Sequence, residues 1–288
     1  MTKRMTALAC ALLALMMLPA MAMGAEDLTA EWEAAAAALR TPAQEALETG
    51  AYALHLHDTA YVPSVAPDIT PFDEMEQQVL PPVEGTFASS DETVVTVDES
   101  GRMTGVNPGT ATVTYETTSA TTSFDVTVSE DALPELAKGM VYVAKREFYE
   151  TQRKKLPKYN KYAKWYYGKK KEVGWCSVFT IFCANASGNN PVKLKEIPET
   201  LTDEDVLYLR EGQVGHQYDG FWDTGRFVGV PRAGYLVIYA EMKNSYRTTH
   251  IGIVVDVKDR GNGQYEVTTV EGNMSNTVKS YRYLYDST

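Results

Sequence analysis

The chain has 288 residues, 44% hydrophobic and 23% charged, with a formal net charge of −11. That length accommodates two small domains with appendages, and the acidity excludes a dedicated nucleic-acid binder, whose footprint would be basic. The charge is uneven: residues 1–139 carry 5 Lys/Arg against 21 Asp/Glu, which leaves 22 against 17 for residues 140–288. A mildly basic C-terminal half suits an anionic polymer, although an ordinary solvated surface has the same balance.

Lys3 and Arg4, an apolar run from Ala7 to Leu18 and small residues from Ala20 to Ala25 have the form of a secretory leader over residues 1–25. The apolar run is too short to span a bilayer. Cleavage is expected near Ala22 to Ala25, releasing a secreted, wall-associated protein with no membrane segment. Cys176 and Cys183 are then the only cysteines left. Seven residues apart on one helix, they sit about 10 Å apart at about 1.5 Å rise per residue. A disulfide tolerates about 7 Å between Cα atoms, so the two thiols stay free. No metal-ligand spacing stands out, and no cofactor is expected.

Residues 26–60 are expected to be helical, with an Ala-rich stretch from Ala30 to Leu47. A capping box at Thr41 and Gln44, with Pro42 at the first helical position, starts a second turn of helix, and Gly50 stops it. His55 and His57 lack further ligands nearby and read as surface residues. A Pro-rich passage from Pro63 to Pro82 follows.

Short β-branched runs then alternate with Gly and Asn-Pro-Gly punctuation: Thr93 to Val97, Thr110 to Tyr115 and Phe124 to Val128, with turns at Gly101 and at Asn107-Pro108-Gly109. This pattern predicts a small antiparallel sandwich. From Ser89-Ser90-Asp91 through Pro108-Gly109-Thr110-Ala111-Thr112-Val113-Thr114, residues 61–129 resemble the group 2 bacterial immunoglobulin-like domains. The resemblance implies a spacer or adhesion module without chemistry of its own. Residues 130–138 are expected to be a linker. Residues 139–152 follow as a helix presenting Val141, Ala144, Phe148 and Tyr149, and residues 154–171 as a basic, aromatic loop.

Cys176 opens a predicted helix over 175–187 that stops at Gly188. Unpaired N–H groups and the helix dipole at that end favour a thiolate. A small buried hydrophobe is the other ordinary role of a free cysteine, and Cys183 suits it. His250 opens the apolar strand from Ile251 to Val257, Asp259 to Gly263 form a turn, and Gln264 to Glu271 return. An odd register sum puts His250, Glu271 and Asn273 on one face, and a slip of one residue parts them. A thiol nucleophile needs a base and a group that orients the base, so Cys176, His250 and Glu271 or Asn273 are the catalytic candidates.

Asn160-Lys161-Tyr162-Ala163-Lys164-Trp165-Tyr166, Trp175-Cys176, Phe182-Cys183-Ala184-Asn185, Gly234, His250-Ile251-Gly252-Ile253-Val254 and Val270-Glu271-Gly272-Asn273 together resemble the cysteine, histidine-dependent amidohydrolase/peptidase (CHAP) domain of the papain-like, NlpC-type superfamily. The resemblance covers residues 139–288. It implies an α+β papain-like fold, with the cysteine helix packed on an antiparallel sheet. The implied activity is cleavage of peptidoglycan, at the N-acetylmuramoyl-L-alanine amide or within the peptides. In this reading Cys176 is the nucleophile, His250 the base and Glu271 the orienter, with Asn273 supporting or replacing Glu271. Where the family shows Pro-Gly-Asp the chain has Ala233-Gly234-Tyr235, and Ala163 stands where a Gly is usual.

Tyr162 or Tyr166 is a candidate second oxyanion donor. Trp165, Tyr166, Trp175 and Trp222 are candidates for stacking on sugar, with core packing as the competing role for all of them. Peptidoglycan and anionic wall polymers, the latter through Lys169 to Lys171, are the expected partners. Two further readings keep the same residues: a cysteine protease or acyl transferase acting on protein, and a non-catalytic wall-binding or adhesion protein.

Overall fold

The computed structural model describes residues 15–19, 26–27, 32–66, 84–151, 154–198, 207–242 and 246–287. The rest of the expected leader and of the Pro-rich passage lies outside the described residues. The architecture is mixed α/β, with three sheets and two separate hydrophobic cores.

Near the N-terminus, α1 (Trp32–Ala38) is followed by α2 (Pro42–Thr49). The capping box is formed, Gln44 N donating to Thr41 Oγ1 at 3.1 Å and Thr41 N to Gln44 Oε1 at 2.9 Å, and Gly50 closes the helix at φ 70°. The helix ends at Gly50, as the sequence predicts, and residues 51–60 depart from the 26–60 segment expected to be helical. Ala51–His55 and Thr59–Tyr61 are strands of the sandwich.

Up to residue 129 the strands are β1 (Leu15–Pro19), β2 (Glu26–Asp27), β3 (Ala51–His55), β4 (Thr59–Tyr61), β5 (Thr86–Ser89), β6 (Val95–Val97), β7 (Arg102–Gly105), β8 (Gly109–Glu116) and β9 (Thr121–Ser129). One sandwich sheet runs β3-β9-β8-β5 and the other β4-β7-β6. Inward positions alternate along β8 and β9, burying Ala111, Val113, Phe124, Val126 and Val128 against Leu54, Val62, Val95 and Met103. β3 joins β9 in parallel, so the sandwich begins ten residues before the expected boundary at 61.

Asp131 to Pro134 lead straight into α3 (Glu135–Thr151), which starts inside the expected linker. Its inward stripe is Met140, Val143, Ala144 and Phe148, while Val141 and Tyr149 are half-buried. The sandwich supplies the reason for the early start. Glu135 N donates to Asp58 Oδ2 at 2.7 Å, so a residue between β3 and β4 caps the helix. Tyr52 Oη donates to Glu135 Oε2 at 2.5 Å, and Lys138 pairs with Glu135 Oε1 at 2.5 Å while donating to the Ala53 carbonyl.

The second unit continues with α4 (Lys161–Tyr167), α5 (Cys176–Ala186), α6 (Val214–Asp223) and the strands β10 (Leu236–Met242), β11 (Tyr246–Gly261), β12 (Gln264–Met274) and β13 (Thr277–Asp286). Part of the expected basic loop is therefore helix, because Asn160 caps it. Asn160 Oδ1 accepts from Tyr162 N and Ala163 N, both at 3.1 Å. The sheet order is β1-β10-β11-β12-β13-β2. β1, part of the expected leader, is a parallel strand on the β10 edge, and cleavage would leave β10 to β13 as an antiparallel meander. α5 lies across β11 and β12, with α3 and α4 packed on it. Phe179, Val178, Ile181 and Phe182 seal that layer, each such side chain contributing about 1.5–3 kcal/mol by leaving water.

Candidate active site

Cys176 is the first residue of α5, after Trp175 at the N-cap. The first helical bond of this end is Phe179 N to Trp175 O at 2.9 Å, so the N–H groups of Cys176, Ser177 and Val178 have no carbonyl within the helix. The Cys176 side chain is half-buried, whereas Cys183 is fully buried in the core and its thiol is pushed well up by burial.

His250 lies on β11 opposite Tyr239 of β10, and its Nε2 is 2.9 Å from Glu271 Oε2 on β12. With Glu271 ionised, Nε2 carries the proton and donates, which leaves Nδ1 free of the carboxylate, and Cys176 is near enough to the ring to influence its protonation. The Glu271 carboxylate is fully buried. Its Oε1 accepts from Tyr239 Oη at 2.5 Å, Thr269 Oγ1 at 2.6 Å and Tyr283 Oη at 2.9 Å. Burial alone would raise the Glu271 carboxyl. The hydrogen bond and charge of His250, with Thr269 and Tyr239, outweigh burial and hold it below its ordinary value. Burial likewise works to lower His250, but its bonds to Cys176 and Glu271 and their negative charges carry it up to about 9. The raised value favours the imidazolium form of His250 at neutral pH, with the Glu271 carboxylate as its hydrogen-bond partner.

The register that assembles this pair is decided by a bulge. Near the turn β11 and β12 pair with a sum of 524, as in Val257↔Val267 and Lys258↔Glu266. Beyond the irregularity at Val254/Asp256 the sum becomes 523, as in Ile253↔Val270. The even sum would have turned Glu271 to the face opposite His250, and one extra residue, Val255, restores the match. Two more irregularities converge here: between Tyr239 and Ala240 on the β10 side, and between Glu271 and Met274 on the β13 side.

Two glycines permit the close packing. A Cβ on Gly252 would lie 2.7 Å from Glu271 Cγ, and one on Gly272 would lie 2.5 Å from Phe179 Cβ and Cγ. Neither position has room for a side chain, so α5 and the carboxylate can approach the sheet at the level of the thiol.

Several expected site residues sit elsewhere. Asn273 makes no hydrogen bond to His250 or Glu271 among the described residues. Its backbone is left-handed, with φ 66°, at the slip between β12 and β13. Its Nδ2 faces Gly174, 3.5 Å from where a Cβ would stand, on the approach to Cys176. Tyr162 and Trp175 are both fully buried and stacked at 5.4 Å, so neither reaches a substrate. Tyr162 Oη is spent on Glu147 Oε2 at 2.8 Å. Trp165 and Tyr166 are half-buried beside Arg210, and Tyr166 Oη donates to the Arg210 carbonyl at 3.2 Å, which removes it as an oxyanion donor. Tyr235 is buried in the core, and its carbonyl accepts from Val254 N at 2.8 Å.

Sequence reasoning missed four residues. Thr269 was within reach, being two residues from Glu271 on the same face. Tyr239 and Tyr283 come from neighbouring strands that no local pattern identifies. Tyr167, at the end of α4, is close enough for the Cys176 charge to help raise its phenol, after burial as the main cause, and its Oη would lie 3.1 Å from a Cβ on Gly212.

The described part of the chain thus contains a Cys–His–Glu constellation of the kind that serves thiol acyl transfer. Among proteins of known family, residues 73–129 match the bacterial Ig-like domain (group 2), which covers the greater part of the sandwich. No curated protein matches the chain. No helix among the described residues is long and apolar enough to cross a membrane. Nor do those residues hold a group of three or more His, Cys, Asp or Glu arranged for a metal ion.

Proposed function

We propose that residues 135–287 form a secreted thiol hydrolase of the CHAP type, with a papain-like arrangement of helix and sheet, that cleaves amide bonds in peptidoglycan. The observation that carries this reading is the His250 Nε2 to Glu271 Oε2 contact at 2.9 Å, beside a cysteine at a helix N-terminus. A structural ion pair would not need a half-buried thiol near the imidazole, nor three hydroxyls reserved for the carboxylate.

In this mechanism the Cys176 sulfur attacks the amide carbonyl and a C–S bond forms. His250 gives its proton to the leaving nitrogen as the C–N bond breaks. Water then adds to the thioester, His250 takes its proton, and the carboxylic acid leaves as the C–S bond breaks, restoring Cys176. The Cys176 N–H is one donor to the oxyanion, and Tyr167 or the Asn273 amide is the candidate for the second. Glu271 holds the ring orientation and stabilises the imidazolium without taking a proton.

The test is digestion of purified peptidoglycan by the leaderless protein beside Cys176→Ala, with products identified by mass spectrometry. New amines or muropeptides that vanish in the variant are the expected result, and their masses name the bond. Silence from both proteins across several wall types under reducing conditions would remove the hydrolase reading. Turnover of casein but not of muropeptides would move the substrate to protein.

A further inference from the structure

We propose that the outer face of α6, built from Tyr218, Trp222 and Phe227, is a glycan subsite that holds a neutral pyranose chain on the side of the domain that carries Cys176 and His250. The proposal rests on the peptidoglycan reading and adds to it a platform for the sugar portion of the substrate.

The helix has two faces with different work. Gln217, Gly220 and Phe221 are buried and hold α6 against the domain. Tyr218 and Trp222, one turn apart, share another face, on which Trp222 is 61% exposed. An indole left in water forgoes the burial that usually places tryptophan in a core. Val228 and Val230 extend the exposed apolar surface.

The ring is held in place. Tyr218 stacks on Trp222 with centroids 6.0 Å apart and planes within 17°. Phe227 meets Tyr218 at 5.1 Å and Trp222 at 5.6 Å, both edge-on. Tyr218 and Phe227 in turn pack on the core, so the indole is braced before any ligand arrives. A ligand then has little ordering cost to meet on the protein side.

Charge selects the occupant. Asp219 and Asp223 are exposed and flank the aromatic face in sequence. Carboxylates there repel phosphate polymers, nucleic acid and acidic lipid, but they accept hydrogen bonds from sugar hydroxyls. A pyranose offers both complements, a C–H face for the ring and hydroxyls at its rim.

Position ties the platform to the chemistry. A Cβ on Gly215, in the first turn of α6, would lie 3.6 Å from Thr248 Oγ1, two residues before His250. Seven residues separate Gly215 from Trp222, roughly 10 Å along the helix. A glycan lying on Trp222 thus runs from the edge of the strand that carries His250, and peptides attached to it are presented to Cys176. Glycan-bearing muropeptides become better substrates than free stem peptides.

The experiment is calorimetric titration of the full leaderless chain carrying Cys176→Ala with N-acetylglucosamine oligomers and with peptide-free glycan strands. Saturable binding is expected, weakened at least about tenfold by adding Trp222→Ala, with the melting temperature unchanged. Trp222→Leu keeps an apolar contact to Phe227 and loses the flat ring, so it serves if the alanine variant misfolds, and the same loss is expected. Equal binding with and without Trp222, or binding of free stem peptide alone, would overturn the subsite. Trp222-dependent glycan binding with no wall cleavage by the unmutated chain would keep the subsite and remove the hydrolase. Cleavage of glycan-bearing and free peptides at equal rates, unchanged by Trp222→Ala, would do the reverse.

Discussion

The sandwich and the six-stranded sheet are both built from twisted strands, yet they treat polar side chains in opposite ways. In the sandwich polarity faces outward. Thr110 meets Thr127 at 3.0 Å, Thr112 donates to Asp125 at 2.9 Å and Thr114 meets Ser123 at 3.2 Å, all on the solvent side of β8 and β9. The interior of that sandwich is an apolar cluster. The second sheet instead buries a carboxylate completely and surrounds it with two tyrosines, a threonine and a histidine. Burying that charge costs several kcal/mol unless every lone pair is met. Among the described residues the sandwich buries no carboxylate, and in the second sheet the buried one sits against the imidazole of His250.

If this contrast is functional, damage in the second sheet must hit activity and damage in the sandwich must not. The largest effect is expected from Cys176→Ala, with loss of wall turnover by at least about 10⁴-fold and no change in melting temperature. Next comes Glu271→Gln, for which a fall of about 10²–10⁴-fold in kcat is expected. Its pH profile is the sharper readout. His250 titrates near 9, so the alkaline limb of wild-type activity should fall there, as the imidazolium is lost. Removing the carboxylate charge moves that limb down toward the ordinary histidine value of 6.5. The sign for stability agrees. A raised histidine stabilises the fold fully below 6.5, and that contribution disappears as pH rises through about 9. A lowered Glu271 acts oppositely, its contribution present above the ordinary carboxyl value and lost on acidification.

Gly252→Ala tests the packing rather than the chemistry. The new Cβ displaces Glu271 from a contact of 2.7 Å, and a loss of about 1–3 kcal/mol in unfolding free energy is expected from overpacking. Activity should fall with it at temperatures where the protein is still folded. A smaller effect belongs to the junction. Asp58→Ala removes the cap of α3 and is expected to cost about 1 kcal/mol by chemical denaturation, with activity retained. On the outer face of the sandwich, Thr112→Val should change stability by less than about 0.5 kcal/mol. A large activity loss from either of the last two would break the contrast and give the sandwich a part in catalysis.

The sequence alone determined much of this protein, wherever the controlling interactions are local. The capping box at Thr41 and Gln44, the stop at Gly50, the alternation of β8 and β9 and the start of α5 near Cys176 each depend on residues a few positions apart. The turn near Gly261 and Asn262 was equally readable, and with it the delivery of His250 and Glu271 to one end of a hairpin. Tertiary structure decided the rest. Whether those two side chains share a face depends on a bulge at Val255, a shift that strand patterning does not encode. The partners of Glu271 on β10 and β13 are set by strand order, and the starts of α3 and α4 by caps that propensity alone did not predict. Tyr162, Trp175 and Trp222 are all aromatic residues in or beside helices, and the sequence gives no reason to separate them. Only packing places the first two under α5 and leaves Trp222 in water, because burial is a property of the surrounding elements and not of the residue.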